Sequence, residues 1–107
     1  MPSQEKIQEM QFLEQNLQNL LLQKQAFQIE LTETTSALKE IESSSDDVFK
    51  IIGQMMIKTD KEKMKGELSE KQKFLELRLK TIDKQESVLT EKLEKLRDEL
   101  MKEMNKK

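Results

Sequence analysis

The chain has 107 residues and contains neither histidine nor cysteine, which removes the usual general base at neutral pH, the thiolate nucleophile and the common zinc ligands. With 37% charged and 35% hydrophobic residues, one proline and two glycines, it is expected to form a single domain, residues 1–107, of long amphipathic helices rather than a globular core. Nineteen basic and 21 acidic residues interleave to a net charge of −2, so nucleic acid is offered no continuous basic stripe.

The N-terminal Met1-Pro2-Ser3-Gln4 lacks the basic flank and apolar stretch of a signal peptide. No run approaches the ~18 apolar residues of a membrane span. The expectation is a cytoplasmic protein with no membrane partner. Ser3 is placed to cap a first helix over about residues 3–43. Along it Met10, Leu13, Leu17, Leu20, Lys24, Phe27, Leu31, Thr34, Leu38 and Ile41 recur in alternating steps of three and four, the spacing of a coiled-coil seam.

Ser43-Ser44-Ser45-Asp46-Asp47 stops this helix, because Ser and Asp side chains compete for backbone hydrogen bonds and favour turns. Two short apolar runs follow, Val48 to Ile52 and Met55 to Lys58, separated by Gly53-Gln54. They predict a β-hairpin over about residues 48–58, with Gly53 at the positive-φ position of a type II′ turn.

Thr59 to Glu62 reads as a capping box for a second helix over about residues 60–104. Gly66 lies early in that helix, where it costs roughly 1 kcal/mol against alanine, and close packing is the one role it suggests. Lys58, Lys61, Lys63 and Lys65 are interrupted by Asp60 and Glu62 and read as a solvated helix start. The second seam runs Leu68, Gln72, Leu75, Leu79, Ile82, Glu86, Leu89, Leu93, Leu96 and Leu100, and Asn105-Lys106-Lys107 is expected to fray.

Folding the chain back at Gly53 pairs residues whose numbers sum to about 106, and the two seams then coincide. Leu13 meets Leu93, Met10 meets Leu96, Leu17 meets Leu89 and Leu31 meets Leu75. Thr34 falls opposite Gln72. Lys24 and Glu86 occupy adjacent layers, and either they pair and fix the register or each extends to water. Carboxylate-only catalysis needs a concave, partly dry site, which a solvated coiled coil does not offer; no enzyme activity and no cofactor are expected.

Function is left to the middle and the ends. Val48, Phe49, Ile51, Ile52, Gly53, Met55, Met56 and Ile57 make a ribbon that cannot close on itself and is expected to assemble with other strands, unless it folds onto the coil as an apolar loop. Near the termini Ile7, Met10, Phe12, Leu13, Leu100, Met101 and Met104 are candidates for binding apolar clients; Leu21 and Leu22 also leave the strict seam. The alternative is that these side chains only broaden the seam or pack against a neighbouring chain.

The segments Gln23-Lys24-Gln25, Glu30-Leu31-Thr32-Glu33, Ala37 to Glu42, Asp46 to Gly53, Met56 to Thr59, Glu67 to Lys71, Leu77-Arg78-Leu79 and Asp83 to Glu86 resemble the prefoldin family, in its β-type, archaeal-like form. The family hairpin usually reads V-Y-K-x-x-G, here with Phe49 in place of Tyr. This resemblance implies a mainly α fold, a long antiparallel two-helix coiled coil whose central β-hairpin completes a β-barrel with other subunits. It implies a hexamer of two α-type and four β-type subunits. It further implies an ATP-independent holdase that captures non-native polypeptides at its coiled-coil tips and delivers them to a group II chaperonin. A structural tether without client binding is the alternative.

Overall fold

The computed structural model describes residues 3–105. Helix α1 spans Gln4–Ser43, strands β1 (Val48–Ile52) and β2 (Met55–Thr59) form an antiparallel hairpin, and helix α2 spans Lys61–Asn105. The fold is therefore mainly α with a central β-hairpin, as the two heptad tracts and the insert between them predict. Asn105 is still helical, while Lys106 and Lys107 lie outside the described residues.

Ser3 occupies the cap position of α1: its carbonyl accepts the first helical bond, from the Ile7 N–H at 3.1 Å. At the other end of α1 the Ser43 hydroxyl donates to the Glu40 carbonyl, and the Asp46 N–H donates to the Ser44 hydroxyl. Those local bonds replace the helical ladder and stop the helix. Lys61 closes the gap by donating from Nζ to the Ser44 carbonyl at 2.7 Å.

The cap of α2 differs from the sequence reading. Asp60, not Thr59, holds it: the Asp60 carbonyl accepts from the Met64 N–H, and its Oδ2 accepts from the Lys63 N–H at 3.1 Å. Thr59 is occupied as the last residue of β2, paired with Val48, so the cap moves one residue on. Glu62 then falls outside the capping-box position.

The chain packs as two compact units, one formed by α1 up to Ala26 with α2 from Leu79, the other by Phe27–Arg78. In the first, Leu13, Leu93 and Leu96 are buried together, with Met10, Leu17 and Leu89 packed against them. These six residues make up three of the pairs that folding back at Gly53 brings together. Leu20, Ile82 and Leu100 are also buried. Burying each such side chain contributes about 1.5–3 kcal/mol, which makes the seam the main stabilising element of the unit.

In the second unit Leu75 is almost completely buried. Thr34 is buried too, and its hydroxyl donates back to the Glu30 carbonyl at 2.8 Å. Gln72 therefore finds Thr35 rather than Thr34, donating from Nε2 to Oγ1 at 3.2 Å. Lys71 pairs with Glu30 at 3.0 Å, and the Arg78 guanidinium lies 5.6 Å from the centroid of the Phe27 ring, within cation–π range.

The hairpin register runs from Val48↔Thr59 to Ile52↔Met55 and leaves Gly53-Gln54 as a two-residue turn. Gly53 has φ of 61° and Gln54 is not positive, the signature of type II′. Gly66 has no neighbour within 4 Å of where a Cβ would sit, so the close packing expected for it is not found.

Candidate functional site

Side chains alternate across a strand, so the register assigns each hairpin residue to a face. Phe49, Ile51, Met56 and Lys58 share one face; Val48, Lys50, Ile52, Met55, Ile57 and Thr59 share the other. On the second face Val48, Lys50 and Thr59 are half-buried, and Lys50 pairs with Glu67 of α2 at 3.4 Å. The remaining apolar side chains are exposed on both faces, Ile51 by 70%, Met56 by 68% and Met55 by 65%. The sheet has two strands, so among the described residues each strand also has an outer edge whose backbone groups meet no further strand.

The candidate client residues near the termini divide. Phe12, Met101 and Met104 are exposed. Ile7 is half-buried, and Met10 is partly covered against the Leu13 cluster. Leu13 and Leu100, by contrast, are buried in the seam and offer no free surface. Both belong to the heptad rows, and the seam claims them first.

The ends of the two helices are tied by charge. The Ser3 N–H donates to Glu103 Oε2 at 2.9 Å, and Lys6 pairs with Glu103 and, at 3.7 Å, with Glu99. The hydrogen bond from Lys6, then that from the Ser3 backbone, hold the Glu103 carboxyl below its ordinary range; Glu103 in turn raises Lys6. Further along the same unit Lys24 lies 2.8 Å from Asp83 and 3.1 Å from Glu86. Its pKa is raised, first by the hydrogen bond to Asp83 and then by that to Glu86. Lys24 thus pairs with Glu86, one of the two readings of the sequence, at a position where both side chains stay partly exposed, and Asp83 is a partner that the heptad rows did not include.

Exposed apolar residues also lie where the sequence reading did not look: Ile29, Phe74, Leu77 and Val88. The signal was present, because all four depart from the seam rows. Among the described residues no group of three or more His, Cys, Asp or Glu is placed to hold a metal ion, and no helix is long and apolar enough to cross a membrane.

These features have counterparts in known proteins. The family model described as "Prefoldin subunit" matches residues 4–107. The prefoldin subunit beta of Thermococcus kodakarensis is 48% identical over 85 residues, covering 78% of this chain and 73% of its own. That of Pyrobaculum calidifontis is 42% identical over 92 residues, covering 84% and 74%. The crystal structure of the prefoldin beta subunit from Thermococcus strain KS-1 is similar with a TM-score of 0.88 at 38% identity, over 97% of this chain and 93% of that one.

Proposed function

Because the chain belongs to the prefoldin family, as a β-type chaperone subunit, we propose that its hairpin builds the oligomer and its paired helix ends hold non-native polypeptide. The family is one of chaperones rather than enzymes, and membership implies a hetero-oligomeric assembly. The finer reading is a hexamer of two α-type and four β-type subunits, ATP-independent and cytoplasmic, that passes clients to a group II chaperonin.

The observation that carries this reading is the hairpin, which has apolar side chains exposed on both faces and, among the described residues, no further strand beside it. A two-stranded ribbon of this kind is marginal in water and gains stability by adding strands. For client holding, the support is the exposure of Phe12, Met101 and Met104, with Ile7 and Met10 beside them as partly covered contributors. Methionine and phenylalanine side chains on an exposed helix adapt to varied apolar partners without requiring a defined sequence.

Truncation tests this division. Removing about ten residues from each end takes Met101 and Met104 and the approach to Phe12, but spares the hairpin. The truncated subunit, assembled with an α-type partner, is expected to keep its light-scattering mass and to lose suppression of aggregation of a denatured protein. Loss of mass with the ends would instead make the ends structural.

A further inference from the structure

A groove of about 600 Å³ opens between α1 and α2 in the first unit. Its floor is Leu20 and Leu89, buried and half-buried, and Val88 stands exposed on its wall. Four side-chain amides surround this apolar strip: Asn16, Asn19, Gln23 and Gln85. Among the described residues none of the four amides has a hydrogen-bond partner, whereas Gln72 is satisfied by Thr35. Each amide therefore retains both donors and an acceptor for a partner.

The charge pattern is local and specific. Two heptads before Glu30 lies Asn16, and two heptads after Lys71 lies Gln85. Glu30 and Lys71 form a 3.0 Å ion pair, the usual occupation of these flanking positions in a coiled coil. At the groove the same positions carry amides. Gln15 to Gln23 is moreover the longest stretch of the chain without a charged side chain, and Ser87 to Thr90 on α2 is uncharged as well. Lys84 supplies the sole charge lining the groove. A separate groove of the same unit is lined by Asp83, Glu86 and Glu91 around Lys24, so carboxylates are gathered there and absent here.

The geometry points to a second client site: this groove takes an extended, non-basic segment of a non-native polypeptide. The inference rests on the client-holding reading above and specifies the chemistry of the client. An unfolded segment brings unpaired backbone N–H and C=O groups, which need partners wherever they leave water. Side-chain amides match both kinds of group, while apolar side chains of the segment lie on Leu20, Val88 and Leu89. Lys84 complements an acidic neighbour in the segment and repels a basic one. The site thus reads backbone and charge sign rather than sequence, and it is separate from the exposed methionines of the helix ends.

The test uses the full chain assembled with an α-type subunit and three fluorescein-labelled extended peptides. These share one apolar core and differ only in a flanking Glu, Gln or Lys. Fluorescence anisotropy should rank affinity Glu above Gln above Lys. Lys84→Glu should reverse that order, and Val88→Ser, which removes apolar surface at a half-exposed wall position without adding charge, should weaken all three by about tenfold, the equivalent of about 1.4 kcal/mol. Circular dichroism and light scattering on both variants confirm that fold and assembly are retained. Unchanged affinities and order in both variants, or no binding of any peptide, would overturn the groove proposal. If the unaltered complex fails to suppress aggregation, the client-holding reading falls instead, and the ranking of the peptides still decides the groove on its own.

Discussion

Glu103 shows how single side chains tie the two helix ends together. It accepts from the Ser3 N–H and from Lys6, and its pKa is lowered while that of Lys6 is raised. A carboxyl with a lowered folded pKa stabilises the fold fully above its unfolded value, about 4.3, and that contribution is lost as pH falls through the lowered value. Lys6, with a raised pKa, contributes fully below the ordinary lysine value of about 10.4 and loses its contribution as pH rises through the raised one. The clasp is therefore expected to be complete between those limits, and weaker in high salt because both side chains are partly exposed. Protection against amide hydrogen exchange at Ile7 and in the second turn of α1, taken relative to the intrinsic rate at each pH, should be high at pH 7 and should fall at acid pH. Glu103→Gln should show the low protection already at pH 7; equal protection in both proteins would remove the clasp. Residue-scale detail of this kind was only partly legible. Lys24 and Glu86 could be paired from the seam rows, but Asp83 could not, because it lies off both rows. Thr34 could be placed opposite Gln72, yet once buried its hydroxyl turned to its own helix and left Thr35 as the partner.

At the scale of elements, the helices and the turn were readable because each follows from one local rule. The steps of three and four give α1 and α2, and Gly53 gives the II′ turn at φ of 61°. The boundary between β2 and α2 was misplaced by one residue because two rules compete there. Thr59 is a good cap in isolation, but strand pairing with Val48 takes it, and Asp60 inherits the role. Asp60→Ala should accordingly lower stability by about 0.5–2 kcal/mol in denaturant unfolding, and Thr59→Val should leave the cap intact. An effect of Thr59→Val as large as that of Asp60→Ala would return the cap to Thr59. Gly66 gives the opposite expectation. A Cβ there meets nothing within 4 Å, so Gly66→Ala should raise the stability of the chain by about 0.5–1 kcal/mol through helix propensity alone. Destabilisation would mean that a neighbouring subunit needs the space.

For the whole molecule, what the chain lacks is as informative as what it has. The seam accounts for Leu13, Leu75, Ile82 and Leu93, but among the described residues Ile51, Met55 and Met56 are left largely exposed. The expectation of partner strands follows from the sequence alone, since a two-stranded ribbon with apolar faces is incomplete by itself. The separation of seam from surface near the termini is less legible, because Leu13 and Leu100 are apolar and near the ends like Met101 and Met104, yet their heptad positions commit them to burial. Membership of the prefoldin family implies a hetero-oligomeric assembly, and the central claim is that the exposed side chains of the hairpin build it. The most direct test is the light-scattering mass of the Ile51→Asp, Ile57→Asp double variant mixed with an α-type subunit. The prediction is a chain with the helix content of the original that stays at the mass of an unassembled subunit, while the original chain reaches the mass of the hexamer. A variant that assembles to the same mass as the original would contradict the claim.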